Sequence, residues 1–224
     1  MRGIPFSGFL MARNARRLSS TSASAPRGTG QVRIIGGRWR GTKLAVPDRP
    51  GLRPSSDRVR ETLFNWLMPA LPDARVLDLF AGTGVLGLEA LSRGAAHAVL
   101  VERDSGLAEA LREAAAKLSA PAEVHAADAL AWLDGRGDAF DLVFLDPPFA
   151  DGLWARALDG LAPRLAPGAW VYVESPADVQ PGVPPAWALH REGRTREVRY
   201  ALYRTPGAQP TATLRPDDPP ATTE

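Results

Sequence analysis

Arg75-Val76-Leu77-Asp78-Leu79-Phe80-Ala81-Gly82-Thr83-Gly84-Val85-Leu86-Gly87-Leu88-Glu89-Ala90-Leu91 decides the fold. The apolar run 76–80 breaks into glycines and then into a helical pattern over 85–93, which reads as strand, tight turn, helix. Glycine suits such a turn because a residue without a side chain tolerates positive φ and lets the backbone approach a bound nucleotide. Downstream the pattern keeps alternating. Strands are expected at 98–102, 123–126, 140–145 and 169–174, and helices at 104–118, 129–134 and 152–165. That alternation predicts an α/β fold with a mainly parallel sheet covered on both faces. Two later apolar segments, 186–190 and 197–203, lack a long helix between them and suit a closing hairpin.

A second motif follows the apolar run 140–145: Asp146-Pro147-Pro148-Phe149. It places a carboxylate and a proline-stiffened carbonyl at a strand's end, the edge where open α/β sheets bind ligands. An exocyclic amine on a nucleobase is a poor nucleophile, because its lone pair is delocalised into the ring. If Asp146 and the Pro147 carbonyl each accept one N–H, the nitrogen turns its lone pair toward an electrophile, and fixed dipoles support the developing charge. Pro148 stiffens the turn, and Phe149 offers a flat surface for an unstacked base. The bland alternative is a proline turn closed by a buried phenylalanine.

Gly82, Gly84 and Gly87 form a G-x-G-x-x-G, so nicotinamide dinucleotide binding has to be weighed. Glu102, ending the next strand, suits ribose hydroxyls in either a dinucleotide or an S-adenosylmethionine (SAM) site. Asp78 separates the two, since a carboxylate before the glycines can attract the ammonium of the SAM methionine moiety, and a dinucleotide has no such cation. Asp128 would then receive the adenine amino group, with the Ala129 backbone beside it. Phe80, Ala81, Gly82, Gly84 and Arg103 complete the expected cofactor contacts. Taken singly, Glu102 and Asp128 also read as helix N-caps.

The 224 residues suit one catalytic domain with small appendages. The expected division is a basic, disordered leader at 1–30, an RNA-binding extension at 31–69, the SAM-dependent domain at 70–205 and a disordered tail at 206–224. Net charge is only +2, but five of the 27 basic residues lie in the acid-free leader, leaving 22 bases against 25 acids. Basic surface must therefore be local. Residues 31–61 carry Arg33, Arg38, Arg40, Lys43, Arg49, Arg53, Arg58 and Arg60 against Asp48, Asp57 and Glu61. With Trp39 among them they are expected to hold RNA, and Arg191, Arg194, Arg196 and Arg199 could extend that surface. The segment 31–46 reads as two short strands around Gly36-Gly37. Ser55-Ser56-Asp57 then caps a helix with Val59, Leu63, Phe64, Trp66 and Leu67 at helical spacing, ended by Pro69 and leaving Arg58 and Arg60 to point away from the core.

The chain has no cysteine, which removes disulfides, thiolate zinc sites and iron–sulfur clusters. It also removes the thiol nucleophile that methylation at a pyrimidine carbon requires, leaving nitrogen or oxygen acceptors. His97, His125 and His190 lack ligand spacing, so no metal is expected. No stretch approaches the ~20 apolar residues of a membrane helix. The leader's composition also fits an organelle transit peptide, though a bacterial cytoplasmic protein is the preferred reading.

Arg33-Ile34-Ile35-Gly36-Gly37-Arg38-Trp39-Arg40-Gly41, then Gly51-Leu52-Arg53-Pro54-Ser55-Ser56-Asp57-Arg58-Val59-Arg60-Glu61-Thr62-Leu63-Phe64-Asn65-Trp66-Leu67, the two motifs above, and the ending Val171-Tyr172-Val173-Glu174-Ser175 together resemble the bacterial RsmD family. The resemblance covers residues 31–204; serines stand at 55 and 56 where threonines would be expected. It implies a class I SAM-dependent methyltransferase: a Rossmann-like seven-stranded sheet, its last strand antiparallel, behind a small N-terminal hairpin and helix. It further implies methylation of the N2 amine of a guanine, guanine 966, in 16S rRNA of the assembling small ribosomal subunit. SAM would be the donor, and a monomer without metal or membrane attachment is expected. DNA adenine, a protein amide, or a non-catalytic RNA-binding role remain alternatives.

Overall fold

The computed structural model describes residues 30–46, 56–135 and 137–207. The expectations for the leader and the tail fall outside these residues, apart from Gly30, Pro206 and Gly207, and so does Arg53.

The described residues open with an antiparallel hairpin, β1 (Gly30–Arg33) and β2 (Lys43–Val46), which forms a sheet of its own. The intervening loop carries Gly36 and Gly37, as the sequence predicts. Helix α1 (Asp57–Leu67) follows, with the Ser56 hydroxyl accepting from the Val59 amide at 3.3 Å and so satisfying one of the amides that open a helix. Pro69 falls in the short 3₁₀ turn Met68–Ala70 that ends it.

The body alternates as expected: β3 (Arg75–Asp78), α2 (Val85–Ser92), β4 (His97–Glu102), α3 (Ser105–Leu118), β5 (Ala122–Ala126), α4 (Ala129–Leu133), β6 (Phe140–Leu145), α5 (Trp154–Leu161) and β7 (Leu165–Pro176). A hairpin of β8 (Ala188–Arg194) and β9 (Val198–Arg204) closes it. Expected boundaries shift at two places: β8 runs on to Arg194, four residues past its expected end at 190, and the end of α5 moves as well. The helix predicted to reach residue 165 stops at Leu161, because Pro163 has no amide to extend it; the chain makes a 3₁₀ turn, and β7 starts four residues earlier than expected.

The strand order is β5-β4-β3-β6-β7-β9-β8. All pairings from β5 to β7 are parallel, and β9 runs antiparallel to both neighbours. The chain leaves β3 toward β4 and β5, then returns on the other side of β3 as β6. Such a reversal is where open α/β sheets form a ligand crevice at the carboxyl edge, here between β3 and β6. One face of the sheet packs Val76, Leu100, Phe144, Tyr172 and Leu202 against α1, α2 and α3. The other packs Leu77, Val99, Val143, Val171 and Ala201 against α4 and α5.

Val32, Ile34 and Leu44 of the hairpin segment join the first of these cores. Polar bonds fasten it as well: buried Glu89 of α2 accepts from the Ile35 amide at 2.8 Å and from Arg93 Nε at 2.8 Å, and lies 3.5 Å from Arg60 NH1. Arg60 also donates to the Arg33 carbonyl at 2.9 Å and to Asp57. The expectation that Arg60 points outward is therefore corrected: its side chain is fully buried, because Glu89 and the Arg33 carbonyl supply the partners its charge needs. Arg60→Met would leave the Arg33 carbonyl without its donor and Glu89 with Arg93 as its remaining cation, and urea denaturation should show a loss of about 1–3 kcal/mol. Arg58 is exposed as expected.

Candidate active site

Everything chemical gathers where the parallel strands end. Asp78 closes β3 on the face toward α2; it is 2% exposed, and its Oδ2 accepts the Gly87 amide at 3.0 Å. Burial raises its pKa from 3.8 to about 7, an effect that the Gly87 bond opposes and nearby Glu102 reinforces. The turn that follows depends on two glycines for different reasons. Gly84 caps α2 at φ +69°, and a Cβ there would collide with the Leu111 side chain. A Cβ at Gly87 would strike Leu100 and crowd Asp78, so this glycine sets the closeness of helix to sheet.

Glu102 ends β4 and grips the same turn. Its Oε2 accepts the Gly82 amide and its Oε1 the Asp104 amide, each at 2.8 Å. Each oxygen retains a second lone pair, so the residue can anchor the turn and still receive hydroxyl donors. Asp128 is the N-cap of α4, with Oδ1 accepting from Leu130 and Ala131 at 3.0 Å each; Asp128 is exposed, and buried Ala129 follows it. Phe80 is half-buried against the second core, and the Ala81 amide bonds the Val101 carbonyl at 2.9 Å. Arg103 extends across the edge to Asp151 at 3.3 Å, linking the end of β4 to the segment after the second motif.

Asp146 directly follows β6 on the same face as Asp78, across the crevice. Burial, then Glu174, then Asp78 push its pKa well above the ordinary carboxylate range. Pro147 is buried and Pro148 half-buried. Phe149 begins a short 3₁₀ turn and is 38% exposed, which corrects the alternative of a phenylalanine buried to close a turn. Its ring lies 6.0 Å from that of Trp154, whose Nε1 donates to the Glu174 carbonyl at 2.8 Å.

Glu174 and Tyr172 were not among the expected site residues. The Tyr172 hydroxyl donates to Glu174 Oε2 at 2.6 Å, and both side chains are buried. A signal was present: Val171-Tyr172-Val173-Glu174 is a fourth apolar strand leading to an acid, like those leading to Asp78, Glu102 and Asp146.

The basic residues divide. Arg33, Arg38, Arg40, Lys43 and Arg58 are exposed, but the loop bearing Arg38, Trp39 and Arg40 docks on the far end of α2, where the Arg38 amide bonds the Ser92 carbonyl at 2.7 Å and the Trp39 amide bonds Ser92 Oγ at 2.8 Å. Trp39 is half-buried, with the Arg38 guanidinium 5.8 Å from its ring. Arg191, Arg194 and Arg196 are exposed on the edge hairpin. Arg199 is corrected: it is fully buried, bonding Glu192 at 2.7 Å and the Tyr203 hydroxyl at 3.2 Å, and offers no surface to RNA. Among the described residues, no group of three or more histidines and acids is arranged to hold a metal, and no helix is long and apolar enough to cross a membrane.

A doubly wound seven-stranded sheet in this order, its penultimate strand antiparallel and its glycine turn gripped by acids from two strands, defines the class I methyltransferase fold. The family described as "Conserved hypothetical protein 95" matches residues 32–204, and the chain belongs to it, the RsmD family. It is 51% identical over 181 residues to "Ribosomal RNA small subunit methyltransferase D" of Escherichia coli, covering 79% of this chain and 91% of that protein. The protein of the same name from Haemophilus influenzae is 44% identical over 186 residues, covering 80% and 96%. The solved structure of the yhhF protein of Escherichia coli, 48% identical, superposes with a TM-score of 0.74 over 79% of this chain and 99% of that one. The protein is a methyltransferase.

Proposed function

We propose that this enzyme transfers a methyl group from SAM to the exocyclic N2 amine of one guanine in small-subunit ribosomal RNA, at the guanine 966 site implied by the family resemblance. The relatives' names support the RNA class. The observation that carries the chemistry is the placing of Asp146 and Asp78 on one face, on either side of the crevice, with Phe149 exposed at its rim.

The residues fit the donor. Asp78 is a buried acid whose ionisation would be favoured by an ammonium group, so its environment suits the methionine end. Gly82 and Gly84 keep the turn open to close approach, Glu102 would receive the ribose hydroxyls, and Asp128 with the Ala129 backbone would receive the adenine. Bound there, SAM supplies an electrophilic methyl group on a sulfonium.

On the acceptor side, Asp146 and the Pro147 carbonyl would each accept one N–H of the amine. This holds the nitrogen with its lone pair outward and stabilises the positive charge that grows on it. Phe149 would stack on the extruded base, buttressed by Trp154. Arg33, Arg38, Arg40, Lys43, Arg53 and Arg58 would contact phosphates. The family resemblance also supports cytoplasmic work on the assembling subunit.

Mass spectrometry of small-subunit rRNA from cells with and without the gene tests the reading: one N2-methylguanosine should disappear. An unchanged nucleoside profile would refute it. Phe149→Ala should lower kcat/KM for RNA about 10- to 100-fold, the equivalent of ~1–3 kcal/mol of stacking. Phe149→Trp should retain most activity, and calorimetry should find donor affinity unchanged in both.

A further inference from the structure

Asp146 has a carboxyl neighbour that the account above leaves without a role. Leu145 of β6 pairs with Val173 of β7, so the next residues along, Asp146 and Glu174, stand about one strand spacing apart, ~4.8 Å. Strand alternation puts both on the face of Phe144 and Tyr172. Glu174 is fixed from two sides: the Tyr172 hydroxyl donates to Oε2 at 2.6 Å, and Trp154 donates to its backbone carbonyl at 2.8 Å. It is only 5% exposed.

Carboxyl groups on such adjacent strand ends do not ionise independently; the charge of Glu174 raises the cost of ionising Asp146. The short bond from Tyr172 stabilises negative charge on Glu174, so Asp146 ionises against that charge and is the stronger base once it has ionised. Other titratable groups lie near this pair. Of these it is Asp78 on β3 that adds negative charge toward Asp146; Glu102 of β4 acts on Asp78, and Tyr200 of β9 pairs opposite Glu174 without such a contribution. On α1, Arg60 is engaged by Asp57 and Glu89.

Resting on the amine-methylation reading, we propose that Glu174, held by Tyr172, is a positioning residue that makes Asp146 the acceptor of the proton released by the amine. The nitrogen lone pair forms the new N–C bond while the carbon–sulfur pair departs with sulfur. The N–H pair stays on nitrogen as the proton passes to a carboxylate oxygen of Asp146, and water then removes it. An isolated surface aspartate would be too weak a base to take part; a neighbouring negative charge corrects that.

The test compares wild type with Glu174→Gln, which keeps an oxygen for Tyr172 and removes the charge. In the free protein, the infrared carbonyl band that disappears in Asp146→Asn should titrate at least about one pH unit lower in Glu174→Gln than in wild type. The acid limb of kcat/KM should move down by the same amount. If Glu174→Gln does not fold, Glu174→Ser serves the same comparison. Identical titration in wild type and variant would overturn the proposal. The infrared readout needs no RNA, so absence of rRNA methylation by wild type would count against the function and leave the carboxyl pair to be judged separately.

Discussion

Asp146→Ala should reduce methyl transfer at least about a thousandfold in kcat/KM, with donor affinity changed by less than about threefold. The size follows from what the side chain supplies. Removing one preorganised group that stabilises transition-state charge costs about 10²–10³ in rate, and losing a proton acceptor adds to that. Donor affinity should survive because Asp78 and Glu102, not Asp146, line the glycine turn. Burial and the adjacent acids hold Asp146 above the ordinary carboxylate range, so the ionised form, and activity with it, should increase as pH rises. Single-turnover kinetics with labelled donor, alongside calorimetry, measure both quantities. A variant retaining a tenth of wild-type activity would show that the amine is activated elsewhere.

Asp78→Asn should weaken donor binding about a hundredfold at pH 8 while making the donor-free protein more stable. Both effects come from one buried carboxyl. Its pKa is about 7 when folded and 3.8 ordinarily, so the folded state holds the proton more tightly. Asp78's contribution to stability is therefore complete below about pH 4 and is lost as pH rises through about 7. At pH 8 the ionised group costs on the order of 4 kcal/mol, which asparagine avoids while keeping an oxygen for the Gly87 amide. Ionisation is what a cationic ligand end requires, so wild-type affinity should fall up to about tenfold per pH unit below 7. Calorimetry from pH 6 to 8 and thermal melting at pH 8 report these together. Affinity independent of pH, or a lower melting temperature in Asp78→Asn, would separate Asp78 from the donor's cation.

Local pattern made the centre of the fold readable. The strand-turn-helix at residues 75–93 is encoded by adjacent residues, apolar run, glycines and helical repeat, and the run before Asp146 works the same way. The expected elements from β3 to β6 accordingly stand within two residues of their places. What escaped was set by partners distant in sequence. Arg60 is buried because Glu89, twenty-nine positions away, meets it, although Arg60, Leu63, Phe64 and Leu67 already shared helical spacing and a basic residue within that stripe was a clue. Arg199 lies in line with Ala201 and Tyr203 on an inward face, which its strand's alternation disclosed. Glu174 is different in kind. Nothing near residue 174 says that β7 lies beside β6; only the sheet order brings that carboxyl next to Asp146. The docking of the Arg38–Arg40 loop on Ser92 likewise depends on contacts more than fifty residues apart.

The most direct test gives small-subunit rRNA, as naked RNA and in assembling particles, to wild type and to Asp146→Ala with isotopically labelled SAM, and maps the product by nuclease digestion and mass spectrometry. Label on the N2 of a single guanine, present with wild type and absent with Asp146→Ala, is the predicted result. Label on another atom, or equal labelling by both proteins, would contradict the account.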